Sequence, residues 1–289
     1  MSFFPHRTVL RIVFAAVAVV TTVTIASGQP SDSRLNQIGS VKTIKIAYRS
    51  DSKPFSFLNE RKEPTGYTID LCKLIVKSLE EQVNSPLGIE WVPVTTHDRF
   101  EKVANGAADM ECGSSTVTLG RMKQVDFSNY IFVENTALAV GASSGIHAIA
   151  DLQGRKIAVI TGTSNETALA RELQRRHLSA TIVHVGSRVE GLAALESGRA
   201  DAFASDRYLL GGMTTTMALN ILPEDLSTEP YALVLPQGDW AFRLAVNKAL
   251  AQIFRSGAIL NIFTKWVGGV AQRPSRLIGT VYLLGALAE

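Results

Sequence analysis

Twice in this chain a helical stretch ends on a glycine, passes through an Ala-Asp pair into a short strand and stops at a turn. The two stretches are VANGAADMECGS, from Val103 to Ser114, and ALESGRADAFASD, from Ala194 to Asp206. This repeat constrains the fold more than any bulk property, because a unit used twice implies two similar halves, each with its own sheet and helices. Aligning Gly106 with Gly198 and Asp109 with Asp201 brings Ser114 onto Asp206. Each is then the residue just past the carboxyl end of a strand, the edge at which open α/β sheets bind ligands.

Strands and helices alternate around both copies. VKTIKIAY (41–48) alternates as a strand, and in GYTIDLCKLIVKSLEEQ the residues Ile69, Leu71, Cys72, Leu74, Ile75, Val76 and Leu79 recur at helical spacing. IEWVPV (89–94) reads as a strand, RFEKVANG as a helix capped by Asp98 and ended by Gly106, and ADMECG as a strand. The second round runs KIAVI (156–160), TGTSNE, ETALARELQRRH, ATIVHV (180–185), RVEGLAALESG and ADAFAS. Such alternation predicts βαβ units with mainly parallel pairing, an α/β protein of two lobes. The last third returns to apolar elements, YALVLPQGD and WAFRLAVNKALAQIFRSGAILNIFTKWV. A chain that leaves the first lobe near Glu134 and returns near Tyr231 crosses between lobes twice and forms a hinge. The expected divisions are 41–134 plus 231–270 for the first lobe and 135–230 for the second.

The ends are of another kind. His6, Arg7 and Arg11 precede the apolar run IVFAAVAVVTTVTIA, which gives way to Ala26, Ser27 and Gly28, the pattern of a secretory signal peptide over 1–28. The alternative is a membrane anchor, but the run falls short of the roughly 20 residues that span a bilayer. The polar stretch 29–40 predicts a flexible leader, and the tail 271–289 is left open between docking and mobility. From 29 basic and 26 acidic side chains, loss of Arg7 and Arg11 leaves a net charge of about +1, which points away from nucleic acid. Two cysteines, Cys72 and Cys112, in an exported chain favour a disulfide, the alternative being two buried thiols.

The stretch ECGSSTVTLGR (111–121) poses the choice between a nucleophile loop and an anion cradle. It is not a Gly-x-Ser-x-Gly elbow, and His97, His147, His177 and His184 are scattered through the chain. No H-E-x-x-H or paired C-x-x-C spacing points to a metal, and no cofactor motif is present. A cradle is the better reading.

Taken in order, AYRSDSKPFSF, GYTIDLC, VTTHDRF, ADMECGSSTVTLGRMKQVDFSNYIFV, DLQGRKIAVITGTSNE, LESGRADAFASDRYLL and FRSGAILNIFTKWV carry a resemblance to a known family. The chain resembles the extracellular solute-binding proteins (family 3) of polar amino acid ABC transporters over Val41 to Val267, most closely the glutamate/aspartate-binding branch. The resemblance implies a type II periplasmic-binding fold, two α/β lobes joined by a two-stranded hinge and closing over a ligand. It implies a monomer in the periplasm that delivers L-glutamate or L-aspartate to permease subunits, without catalysis. It also implies site residues. Arg121 with Thr116 and Thr163 would hold the α-carboxylate, Asp206 with Ser114 the α-ammonium, and Arg49 and Arg99 with Thr96 the side-chain carboxylate. The family's second-lobe histidine is absent and Arg188 stands in its place, while Ile160 replaces a hydroxyl. A lyase or dehydratase on the same two-lobed fold is the alternative.

The chemistry suits those residues. A dicarboxylic amino acid carries two anions and one cation, and a closed cleft must pair all three or desolvation forbids closure. Arginine meets a carboxylate with two parallel hydrogen bonds. Three arginines against Asp206 alone leave two net positive charges in the expected site, opposite a ligand of net charge −1.

Overall fold

In a computed structural model the repeat organises one continuous sheet. The structure describes residues 1–2, 33–213, 218–269 and 271–288, so the expected signal peptide lies, from residue 3 on, outside the described residues. In chain order the elements begin with α1 (Arg34–Val41), β1 (Thr43–Arg49), β2 (Asp51–Ser52), β3 (Ser56–Leu58), β4 (Pro64–Thr65), α2 (Tyr67–Val83), β5 (Gly88–Val94), α3 (Arg99–Ala104) and β6 (Met110–Glu111). They continue with β7 (Asp126–Gly141), β8 (Lys156–Ile160), α4 (Ser164–Arg175), β9 (Thr181–Val185), α5 (Arg188–Glu196), β10 (Ala202–Asp206), α6 (Arg207–Gly211) and β11 (Leu219–Ile221). Last come β12 (Ser227–Leu235), α7 (Trp240–Arg255), α8 (Ala258–Trp266) and α9 (Arg276–Gly285).

The main sheet runs β5-β1-β6-β12-β7-β10-β8-β9, with β11 against β7, and β2, β3 and β4 form a separate small sheet. β1 pairs in parallel with β5 and β6, and β8 with β9 and β10. Each half therefore places its first strand in the centre, its second outside and its third inside. The two copies of the repeat do the same work. Asp109 accepts the backbone N–H of Lys45 at 2.7 Å, Asp201 accepts that of Lys156 at 2.8 Å, and Gly106 and Gly198 take φ of +78° and +71° to end their helices.

Between the halves β7 and β12 pair antiparallel from Asp126↔Leu235 to Ser227↔Thr136, with register shifts around Ala232, and so carry the sheet from one half to the other. Glu134 and Tyr231, the expected crossing points, lie inside these two strands.

Strands buried on both faces sort alternate residues into separate cores. In the second half Leu138, Val140, Ile157 and Val159 pack on one side, with Leu169 of α4, and Ala137, Ala139, Ala158 and Phe203 on the other. Gly191 lets α5 lie close on β10, since a Cβ there would come within 2.4 Å of the Phe203 ring. In the first half Ile44, Ile46 and Leu233 face α2, α7 and α8, while Ala47, Val94 and Val234 pack with Val103 of α3. Edge-to-face rings of Phe55, Tyr67, Phe132 and Tyr231 fill the centre of the larger core.

Three details differ from the sequence reading or complete it. The stretch expected to be a flexible leader is helical from Arg34. Leu35 and Ile38, one turn apart, are buried, Ser33 caps the helix, and Asp239 holds the Ser33 hydroxyl at 2.9 Å and the Arg34 N–H at 2.6 Å. Two apolar residues and a cap are enough to dock a short helix. The tail forms α9, which buries Ile278 and Tyr282 and joins Tyr282 Oη to Tyr67 Oη at 2.8 Å. Asp98 precedes α3 but does not cap it; its carboxylate instead accepts from the N–H and the hydroxyl of Thr95, at 2.6 and 2.7 Å. Among the described residues no helix is long and apolar enough to cross a membrane.

Cys72 of α2 and Cys112, just after β6, form a disulfide that closes a sequence separation of 40 residues. A loop of that length raises stability by about 3 to 4 kcal/mol, chiefly through the unfolded chain. Replacing both cysteines by alanine is therefore expected to lower the unfolding free energy in urea by that amount, and an unchanged midpoint would refute it.

Candidate functional site

β1, β5 and β6 run parallel in the first half and β8, β9 and β10 in the second, the two sets opposed in direction across β12 and β7, and the residues expected to bind ligand come from the carboxyl ends of both sets. Arg49 closes β1, Thr96 and Arg99 follow β5, Ser114 and Thr116 follow β6, Thr163 follows β8, Arg188 follows β9 and Asp206 closes β10. Arg121 stands in the turn Arg121–Lys123. Arg49, Thr96, Arg99, Ser114, Thr116, Arg188 and Asp206 are buried, while Arg121 and Thr163 are half-buried.

The arginines are held from several sides. Arg49 Nη2 donates to Thr96 Oγ1 and to Asp51 Oδ1, each at 2.7 Å, whereas its Nε has no protein acceptor. Arg99 donates from Nε to Ser115 Oγ at 2.9 Å and from Nη1 to the Thr96 carbonyl. Arg121 Nη1 donates to the Thr116 carbonyl at 2.7 Å. Arg99 and Arg121 lie 4.2 and 4.9 Å from the centroid of the same ring, that of Phe100. Arg99 thus lies close to Arg121, against the same ring, instead of on the side away from it.

Burial disfavours all three charges. It lowers the pKa of Arg99 to about 9, with Arg121 the next cause, and the group stays cationic at neutral pH. Arg49 is lowered by burial and then by Arg188, and Arg121 by burial against the opposing pull of Glu229 and Asp206. Desolvated cations at this density gain most from an anion that none of them has to share.

Asp206 supplies the opposite sign. It accepts from Asn165 Nδ2 at 3.2 Å and lies 3.8 Å from Arg188 Nη2; burial raises its pKa and Arg188 opposes the rise. Ser114 Oγ, buried, has no protein partner. Thr163 plays a different part from the expected one, because its hydroxyl accepts from the Glu166 N–H at 3.2 Å and donates to the Ile160 carbonyl at 2.7 Å, capping α4. What α4 presents instead is its first turn, whose N–H groups lack carbonyl partners, and Ser164, whose Oγ donates to Thr116 Oγ1 at 3.2 Å.

Several residues of the site escaped sequence reasoning. Glu111 is fully buried beside Arg99 and Arg49, with burial raising its pKa and Arg99 the first charge to oppose the rise. Gly113 is the residue that allows this, since a Cβ there would fall 1.8 Å from Glu111 Oε1 and 3.1 Å from Arg49 Cγ. Asp51, Asn165 and Ser164 sat inside quoted motifs, without a spacing to single them out. Glu134 and Glu229 are buried cross-strand neighbours in β7 and β12. With Arg188, Asp51 and Glu111 present, the count of three arginines against Asp206 no longer describes the charge of the site. Among the described residues no cluster of metal-ligating side chains occurs.

Burial, and after it the charge of Asp206, holds the Glu134 carboxyl well above its ordinary value of 4.5. The folded protein then binds this proton more tightly than the unfolded chain, so stability falls as pH rises above about 4.5. Glu134→Gln keeps an acceptor for the N–H groups of Asn135 and Tyr208. It is expected to be more stable than wild type at pH 7, by an amount that shrinks toward zero below pH 4.5 in urea titrations; a pH-independent difference would contradict this.

The chain is similar to known solute-binding proteins. Residues 44–269 match the family described as bacterial extracellular solute-binding proteins, family 3. The L-glutamate/L-aspartate-binding protein of Pseudomonas aeruginosa is 35% identical over 241 residues, covering 80% of this chain and 79% of that protein. The glutamate/aspartate import solute-binding protein of Escherichia coli is 30% identical over 239 residues, 81% and 79% of the two chains. Among solved structures, the ancestral amino acid-binding protein AncCDT-1, a precursor of cyclohexadienyl dehydratase, superposes with a TM-score of 0.70 at 27% identity, covering 81% of this chain and 99% of that one.

Proposed function

Since the chain belongs to the bacterial extracellular solute-binding proteins, family 3, we propose that it captures an acidic amino acid, L-glutamate or L-aspartate, between its two lobes and delivers it to the permease of an ABC importer. The observation that carries this reading is the set of desolvated arginines, Arg49, Arg99 and Arg121, at the strand ends of the first half, with the buried acid Asp206 at a strand end of the second. A ligand with two carboxylates and one ammonium satisfies that set. One with a single carboxylate leaves a buried guanidinium without its strongest acceptor.

In the proposed arrangement Arg121 and the first turn of α4 receive the α-carboxylate, with Thr116 lining the contact. Asp206 receives the ammonium, and the unpartnered hydroxyl of Ser114 turns toward it. Arg49 offers its free Nε to the side-chain carboxylate, and Arg188 approaches from the other lobe. Arg99 packs between the two carboxylate positions and steadies both. The lobes divide near Glu134 and Tyr231, the protein acts as a monomer in the periplasm, and residues 1–28 direct export and are removed.

The two relatives named for glutamate and aspartate support the choice of ligand, and family and relatives are binding proteins rather than enzymes. Calorimetric titration with L-glutamate and L-aspartate is expected to give saturable heat, with the ligand recovered unchanged by mass spectrometry. A competition series with the two acids and their amides then tests the residues. Arg49→Met should reduce the acid-to-amide preference about tenfold, roughly 1.4 kcal/mol, whereas Arg121→Met should weaken all four ligands in parallel. Parallel losses in both variants would remove Arg49 from the side-chain position. No heat with either acid would overturn the ligand assignment.

A further inference from the structure

The turn that opens α5, Gly186 to Arg188, is gripped from the opposite lobe at three points. Arg188 Nη1 donates to Ser52 Oγ at 3.1 Å and lies 3.5 Å from Asp51 Oδ2. His97 Nε2 donates to the Gly186 carbonyl at 3.2 Å. Asp51 also holds Arg49 of its own lobe at 2.7 Å through its other oxygen, so one carboxylate spans two arginines that belong to opposite lobes.

Each arginine has a second acid nearby, Asp206 for Arg188 and Glu111 for Arg49, but Asp51 is the acid that contacts both. Arg188 is the first residue of α5, where the helix dipole favours anions over cations, and its side chain is only 8% exposed. Arg49 is buried, with Arg188 adding to the burial that disfavours its charge. Two such cations face one another stably only with an anion between them. Burial opposes ionisation of Asp51 too, but the charges of Arg188 and Arg49 outweigh it and keep its pKa below the usual range.

We propose that Asp51 is a positioning residue for ligand capture: its carboxylate joins Arg49 to Arg188 across the cleft and so ties the side-chain subsite to closure of the lobes. The proposal rests on the reading of the cleft as an amino acid site, but acts on closure rather than on the ligand's own side chain. Opening the cleft breaks the contacts of Asp51 and Ser52 with Arg188 and returns both ions to water. The ligand is therefore retained in part by a bond that it does not make. Ligands with acidic and with amide side chains should feel its loss equally.

The test uses the exported protein with a fluorophore pair, one on each lobe away from the cleft. Energy transfer reports closure, and stopped-flow chase reports release of L-glutamate, L-aspartate and L-glutamine. Asp51→Asn keeps size and hydrogen bonding but removes the charge. It is expected to speed release of all three ligands about tenfold, the size of a partly buried charge pair, and to lower energy transfer in ligand-free protein. Asp51→Glu restores the charge and should return release to within about threefold of wild type. Equal effects of Asn and Glu would mean that packing, not charge, is at work, and would overturn the proposal. So would unchanged release in Asp51→Asn, or faster release of the acids alone. If none of the amino acids binds, the ligand reading fails, while ligand-free energy transfer in wild type and Asp51→Asn still decides the role of Asp51.

Discussion

The pairing of β7 with β12 is the constraint on which the rest of the structure depends. These two strands carry the sheet from one half to the other, and their register sets Glu134 opposite Glu229 and Thr136 opposite Ser227. Like charges placed directly across a ladder are unfavourable. Here the conflict is reduced because burial makes Glu134 keep its proton well above the ordinary carboxylate range, while it accepts the N–H groups of Asn135 and Tyr208, and Glu229 accepts the hydroxyls of Ser227 at 2.5 Å and Thr136 at 3.3 Å. Thr136 is also the register partner of Asp206. The acid proposed to hold the ammonium, at the end of β10, is therefore held in register by one of the strands that join the lobes. Register shifts at Ala232 bend β12 as it enters the first half.

Charge at the strand ends follows from burial. Once Arg49, Arg99 and Arg188 are taken out of water, every acceptor nearby becomes part of the site, whether or not it touches ligand. Glu111 does this from below Arg99 and Arg49, and Asp51 from the side. Glycine at position 113 is the local condition for the first of these, because the turn has to pass over a carboxylate that leaves no room for a Cβ. The disulfide ties Cys112, next to that turn, to α2, so the turn and the helix beneath it move together.

Much of this was legible in the chain itself. The repeat located Asp109 and Asp201 as equivalents, and both accept a backbone N–H from the neighbouring strand. The strands of βαβ units were readable because burial on both faces leaves runs such as KIAVI unbroken. What could not be read was of two kinds. Docking of short amphipathic helices such as α1 depends on partners distant in sequence, like Asp239 for Ser33. The partner of each charge depends on geometry, so Arg188 could be named without Asp51, and Thr163 could be given a ligand role although its hydroxyl closes its own helix. A hydroxyl before a helix is equally good as a cap or as a ligand contact, and sequence does not separate them.

The two halves share a scaffold but not a charge. Past β6 the first copy of the repeat carries Ser114, and at the end of β10 the second carries Asp206. The arginines Arg49, Arg99 and Arg121 all follow strands of the first half, so the duplicated edge became cationic on one side and acidic on the other. Each lobe alone would keep its charges in water, where they interact weakly. Brought together they enter a common medium of low dielectric constant, in which unpaired cations are costly and a matching dianionic, monocationic ligand relieves them. Arg188 is the exception that makes the pattern work. It places one cation on the acidic side, and Asp51 places one anion on the cationic side, so that the lobes meet through a pair of their own before the ligand's charges are counted.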